Sequence, residues 1–295
     1  MINYDGVNAT IRSIVPNPIN KKFAVIVEAE EKYYQIKFCE VGHKNNINEF
    51  IAHYIAKLID APVLDGIFLK ISDEELDKLK LKMSLFQVFN NIDTDISKDN
   101  FFFGVEWMKN VNEIKTPKEL MPQVIKTKNK DTFFSLYSLD QILKNYDRHL
   151  GNHLISKQKN ALVYNLIDFD RIFHHTTWQS LPFLIDDYNC LKTPSTPNQF
   201  NQIEFLYSLV NNSNHNFVVN YSAKLSNIKD EDIADLCELI KKVYSVTNDE
   251  LGKILQWFQT RKERILNKCL DNSDCFTNVS YQRLKNVYRQ NISTT

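Results

Sequence analysis

Two β-favouring runs, Phe23-Ala24-Val25-Ile26-Val27 and Tyr33-Tyr34-Gln35-Ile36-Lys37-Phe38, stand on either side of the charged stretch Glu28-Ala29-Glu30-Glu31-Lys32 and predict a hairpin. After the polar link Gly42-His43-Lys44-Asn45-Asn46, apolar residues recur at Phe50, Ile51, Tyr54, Ile55, Leu58 and Ile59, the spacing of an amphipathic helix. Ala61-Pro62 ends it, Ile67-Phe68-Leu69-Lys70-Ile71 offers a strand, and Ser72 with Glu75 forms a capping box for a short helix reaching residue 87. A polar loop over 90–100 leads into Phe101-Phe102-Phe103-Gly104-Val105-Glu106-Trp107, apolar enough for an inner strand.

Beyond residue 108 the period changes. A lysine-bearing, proline-punctuated stretch over 109–130 precedes a helical pattern over 131–145. Two short β-like runs, His153-Leu154-Ile155-Ser156 and 161–167, flank the polar turn Lys157-Gln158-Lys159-Asn160. Helical patterns then dominate, over 203–210, 233–243 and a segment capped by Thr247 and Glu250 that carries Leu251, Ile254, Leu255 and Phe258. Pro194 and Pro197 mark a loop, and a polar break over 271–278 precedes a terminal segment with Tyr281, Leu284, Val287 and Tyr288. The expected fold class is α+β: a mixed sheet lobe over 1–108 and a mainly helical lobe over 109–295.

Composition narrows the function classes. At 295 residues, with 43% hydrophobic and 24% charged residues and 19 Phe and 13 Tyr against 6 Gly, the chain is neither collagenous nor disordered and lacks the glycines of a glycine-loop binder. Lys plus Arg equal Asp plus Glu at 36 each, so the overall balance draws the chain to neither nucleic acid nor an anionic bilayer. The first twenty residues have no basic region followed by an apolar run, and no stretch approaches the ~18 apolar residues of a membrane span. A soluble cytoplasmic chain is expected. The five cysteines, Cys39, Cys190, Cys237, Cys269 and Cys275, are widely spread without a CxxC pair, which fits reduced packing thiols better than disulfides or zinc.

The densest chemical signal is Asn145-Tyr146-Asp147-Arg148-His149-Leu150-Gly151-Asn152, followed across the second hairpin by Leu166-Ile167-Asp168-Phe169-Asp170. A loop and the end of an apolar strand thus deliver two carboxylates and an amide. Phosphoryl transfer asks for these parts: an aspartate to accept the acceptor hydroxyl proton, and an asparagine plus a second aspartate to hold magnesium against nucleotide phosphates. Asp147 and Asn152 have the D-x4-N spacing of a kinase catalytic loop, and Asp168 stands where Asp-Phe-Gly places its metal ligand.

At these motifs, together with Tyr-Gln-Ile-Lys-Phe upstream and the Asn-Glu-Phe-Ile-Ala-His helix, the sequence resembles the HipA-like protein kinases over roughly residues 20–175. The resemblance implies a bilobal, ATP- and magnesium-dependent kinase fold, with manganese as a substitute ion and protein Ser/Thr hydroxyls as acceptors. It makes Asp147 the base or substrate-orienting carboxylate, Asn152 and Asp168 metal ligands, Lys37 the phosphate-binding lysine and Glu49 its partner. Arg148 and His149 become contacts to the catalytic carboxylate or phosphate, or else loop-shaping residues. Asp170 is a second metal-side acid or a helix cap. Phe103 and Val105 belong to the interlobe hinge, where backbone groups meet an adenine edge.

Two departures stand out. No GxGxxG precedes Lys37, and no glycine lies between Gly6 and Gly42, so Arg12, Ser13 and backbone amides of 8–13 are the candidates to approach the phosphates. Asp-Phe-Asp also replaces Asp-Phe-Gly. The expected partners are ATP, a protein substrate and a protein regulator, with neither membrane nor direct nucleic-acid binding. The alternatives are a small-molecule or lipid kinase and a nucleotide-binding pseudokinase acting as an interaction module. Plainer readings cover His174-His175, which lack a completed ligand set, and Lys118, Lys126, Lys128 and Lys130, which suit a solvated linker.

Overall fold

A computed structural model describes residues 3–17, 22–39, 41–84, 96–109, 111–114, 116–145, 147–174, 177–178, 209 and 215–270. The first strand, β1 (Asn3–Asn17), is longer than anything the sequence signals there, and it takes in the 8–13 segment. β2 (Lys22–Ala29) and β3 (Lys32–Cys39) form the expected hairpin. Its tip is the pair Glu30-Glu31, both at positive φ (49° and 63°), the two-residue turn whose twist matches the strands.

Helix α1 (Asn45–Leu58) begins inside what reads as a polar link, and β4 (Gly66–Ile71) follows it. Helix α2 (Asp73–Ser84) realises half of its capping box. The Glu75 N–H donates to Ser72 Oγ (3.3 Å), while the Glu75 carboxylate accepts instead from the Ile11 N–H (3.0 Å), which fastens α2 to β1. β5 (Phe101–Glu106) pairs with both β3 and β4, and β1 lies parallel to β4, closing a barrel in the order β1-β2-β3-β5-β4.

Side chains alternate across these strands. Tyr34, Ile36, Phe38, Leu69 and Phe102 join one core with Leu76 and Leu79 of α2. Phe68, Phe103 and Val105 face the other way, onto α1, where Phe50 meets Phe68 and Phe103 at ring separations of 4.9 and 5.4 Å. Gln35 and Lys37, on the face of β3 opposite Ile36, are left to line a cavity.

The 109–130 stretch is more ordered than a linker. It holds β6 (Val111–Glu113) and α3 (Pro117–Val124), and its first helical position is a proline, whose missing N–H costs nothing there. The expected 131–145 helix opens as a 3-10 turn (Lys130–Phe134) and becomes α4 (Ser135–Leu143), buried at every position. Within it the Ser138 hydroxyl donates to Val218 O (3.0 Å), whereas the Ser135 hydroxyl is buried without a partner among the described residues. Its terminal carbonyls, orphaned as at any helix end, accept from Trp257 Nε1 (Ile142 O, 2.8 Å) and Arg261 Nη2 (Gln141 O, 3.0 Å).

β7 (His153–Gln158) and β8 (Ala161–Leu166) make the second hairpin, with β6 on its outer edge. Three helices follow, α5 (His215–Ser226), α6 (Asp230–Val243) and α7 (Asn248–Leu270). At the start of α7 the capping box is complete: Glu250 N–H donates to Thr247 Oγ1 (3.2 Å), and Thr247 N–H to Glu250 Oε2 (2.8 Å). Apart from Leu209, the 203–210 pattern lies outside the described residues, as do the proline-marked loop and everything after 270. Among the described residues no helix is long and apolar enough to cross a membrane. Cys237 is buried and reduced, and burial pushes its thiol up to about 11.

Candidate active site

Lys37 sits on β3, Glu49 on α1 and Asp168 just after β8, and the fold brings the three side chains together. Lys37 Nζ lies 2.7 Å from Glu49 Oε2 and 2.7 Å from Asp168 Oδ1. Burial opposes the ammonium charge, but Asp168 and then Glu49 outweigh it and hold Lys37 protonated, above the ordinary lysine range. Glu49 Oε2 also accepts from the Phe169 N–H (3.1 Å), so one carboxylate oxygen ties the first helix to the lysine and to the Asp-Phe-Asp segment.

Asp168 itself is at φ 61°, a left-handed conformation that costs a non-glycine residue roughly 1–3 kcal/mol. Its neighbours fix it there. The Ile167 N–H donates to Asn152 O (3.1 Å), and Lys37 holds the carboxylate. Phe169 is fully buried beneath, edge-on to His53 of α1.

The catalytic-loop motif is shaped from α4. Lys144 ends that helix in the left-handed conformation (φ 50°), turning the chain into Asn145, whose Nδ2 donates to Asp140 Oδ1 (3.0 Å) and whose Oδ1 accepts from the Asp147 N–H (3.2 Å). Asn152 Nδ2 donates to Asp147 O (2.8 Å) and closes the loop over 147–152. Arg148 turns into the interior. It forks onto both oxygens of Asp140 (2.8 and 2.9 Å), donates to Ile167 O (2.8 Å) and covers the Phe169 ring at 4.7 Å. These contacts make Arg148 the brace between the two motif segments. His149 accepts from the Gly151 N–H through Nδ1 (3.1 Å), a local turn bond.

Asp147 meets a residue to which the sequence reading gives no role. Arg171 Nε and Nη1 each lie 3.4 Å from an oxygen of its carboxylate, and the arginine side chain is 32% exposed. Asp170 is fully buried and accepts from Asn45 Nδ2 (3.1 Å) through Oδ2, while its carbonyl accepts from Asn48 Nδ2 (2.9 Å). Ser13 is exposed on β1 opposite Ile26 and does not line the cavity, and Arg12 is paired with Glu28 (2.7 Å). Residues 18–21, between β1 and β2, lie outside the described residues.

A cavity of about 390 Å³ opens beside the Lys37 cluster, within the size range of small-ligand sites. Lys37, Glu49, Asp168 and Gln35 supply its polar wall; Leu64, Phe103, Val105, Leu154 and Ile167 supply much of its apolar wall. Trp107, also on its wall, is 42% exposed.

A hard divalent cation takes oxygen ligands, and magnesium keeps several of them as water and phosphate. Asn152 commits its amide nitrogen to Asp147 O, so its oxygen is the ligand-capable atom, and Asp168 adds a carboxylate. This donor pair fits such an ion. Among the described residues no group of three or more His, Cys, Asp or Glu forms a protein-only metal site.

The residues the sequence reading missed are amides and one arginine. Asn46 pairs with the backbone of β5, donating to Phe103 O (2.8 Å) and accepting from its N–H (3.0 Å), so α1 docks on the strand as a neighbouring strand would. Three asparagines within four positions at the mouth of an apolar helix were the available signal.

No protein-family model matches the chain, and neither does any curated protein sequence. Solved structures do. The Helicobacter pylori proinflammatory kinase CtkA superposes with a TM-score of 0.55 at 12% identity, over 91% of this chain and 100% of that one. The chain has the kinase-like fold that its motifs implied. The Shewanella oneidensis toxin–antitoxin protein HipA, solved with HipB and operator DNA, gives a TM-score of 0.45 at 11% identity over 89% of this chain, which spans 63% of that protein. Within the kinase-like fold, the barrel supplies Lys37, α1 supplies Glu49, and the α4-to-β8 region supplies Asp147, Asn152 and Asp168.

Proposed function

We propose that this chain is an ATP-dependent phosphotransferase that moves the γ-phosphoryl group to a Ser/Thr hydroxyl of a protein. The observation that carries the reading is the Lys37–Glu49–Asp168 cluster, built from three separate elements at the wall of a cavity with an apolar interior. Isolated surface ion pairs do not assemble this way; a lysine held protonated between the buried Glu49 and the partly exposed Asp168 is placed for phosphate charge.

The nucleotide lies in the cleft between the 1–108 and 109–295 portions. Along the hinge, the Glu106 N–H is taken by Asp65 O (2.7 Å) and the Trp107 N–H by Tyr33 O (2.7 Å), whereas the Met108 N–H has no partner among the described residues. Met108 N–H and the Glu106 carbonyl are the pair assigned to the adenine edge, with Phe103 and Val105 beside it. Lys37 neutralises phosphate oxygens, Glu49 keeps its ammonium in place, and the Asp147 carboxylate takes the proton of the attacking hydroxyl. Asn152 and Asp168 would hold magnesium or manganese, which supplies charge neutralisation at the phosphates. Asp170, buried on Asn45, supports Asp168 from behind.

The test is transfer of labelled γ-phosphate from ATP, with magnesium, to proteins of a cell extract. Labelled protein bands that depend on the chain support the reading. ATP consumption with label only on small molecules would replace the acceptor class, and ATP binding without consumption would make the chain a pseudokinase.

A further inference from the structure

The first turn of α1 grips the segment after β8 at consecutive residues. Glu49 takes the Phe169 N–H, Asn48 Nδ2 donates to the Asp170 carbonyl (2.9 Å), and Asn45 Nδ2 donates to the Asp170 carboxylate (3.1 Å). The other end of the Asn48 amide is also used: its Oδ1 accepts from the Trp178 indole N–H at 2.7 Å. Asn48 is fully buried and Trp178 nearly so, with Phe173 edge-on to the indole and Lys44 5.4 Å above it. Lys44 in turn pairs with Glu250 at the start of α7 (3.2 Å).

A buried primary amide with both ends engaged is directional, because moving either partner leaves a polar group without water or protein to meet it. The residue after Asn48 is Glu49, the partner of Lys37, and the residue Asn48 holds is two beyond Asp168, the other partner. We infer that Asn48, clamped by Trp178, is a positioning residue that fixes α1 against the Asp168–Asp170 segment and thereby sets the Lys37–Glu49–Asp168 cluster. Asn48 does not line the cavity; it acts through Lys37. This inference rests on the phosphotransferase reading of that cluster.

The test is the affinity for a non-hydrolysable ATP analogue, measured on the full chain by calorimetry with the melting temperature recorded for each variant. Asn48→Ala is expected to weaken binding about tenfold in an otherwise wild-type chain. Trp178→Phe, which keeps a ring against Phe173 but loses the N–H donor, is expected to weaken it about threefold. In a Lys37→Met background both substitutions are expected to have less than about twofold effect, the mark of action through the lysine. A loss of the same size with and without Lys37, or wild-type affinity in both variants, overturns the inference. If Asn48→Ala does not fold, Trp178→Phe decides alone by the same comparison. Failure of the wild-type chain to bind the analogue would instead sink the underlying reading.

Discussion

Two arginines near Asp147 look alike in sequence and differ in physics. Arg148 is buried in a two-pronged pair with Asp140 and braces both motif segments, so Arg148→Met strands a buried carboxylate and is expected to cost about 3–5 kcal/mol of stability. A melting temperature equal to wild type would contradict that role. Arg171 is partly exposed and reaches the Asp147 carboxylate only at 3.4 Å on each prong, a pair worth no more than about 1 kcal/mol. Arg171→Met is therefore expected to leave the melting temperature nearly unchanged while lowering turnover about tenfold, since it loosens the carboxylate that the proposed function aims at the hydroxyl. Unchanged turnover would make the contact incidental. Sequence spacing located Asp147 but not its partner, because Arg171 follows Asp170 across a second hairpin and nothing local marks the approach.

At the scale of elements, α1 carries the most information. Its apolar stripe was plain in the sequence, since Phe50, Ile51 and Ile55 recur with helical period. Its start was not, since Asn45 and Asn46 read as linker residues until β5 and Asp170 are there to accept their amides. The long β1 was hidden for a similar reason: its pairing is with distant β4, and its run mixes Asn, Thr, Arg and Ser with few apolar positions. The same helix holds His53, whose Nδ1–H donates to Glu49 O (3.1 Å) and whose Nε2 is buried without a partner. Burial lowers its pKa to about 3, so the imidazole is neutral in the fold. An unfolded chain binds that proton below about pH 6.5, so this stabilisation is complete above that pH and is lost by ~1.4 kcal/mol per unit as pH falls toward 3. His153, also held neutral by burial, acts in the same direction. His53→Leu is expected to flatten the acid limb of stability by close to one proton in denaturant titrations across pH 4–7. An unaltered slope would mean that His53 takes up its proton without unfolding.

For the whole molecule, the proposed function divides the labour: Lys37, and Asp168 through a metal ion, would serve the nucleotide's phosphates, and Asp147 would act on the hydroxyl. The motif spacing named the candidates, and three-dimensional packing joins three of them, Lys37 of the barrel, Glu49 of α1 and Asp168 after the second hairpin, in one cluster. The most direct measurement is parallel determination of the nucleotide dissociation constant and the single-turnover phosphoryl-transfer rate for wild type, Asp147→Asn and Asp168→Asn, with magnesium present. The account predicts that Asp147→Asn retains near wild-type nucleotide affinity with transfer slowed at least ~100-fold, and that Asp168→Asn loses both affinity and transfer. Full transfer by Asp147→Asn, or metal-dependent affinity unchanged in Asp168→Asn, would contradict it.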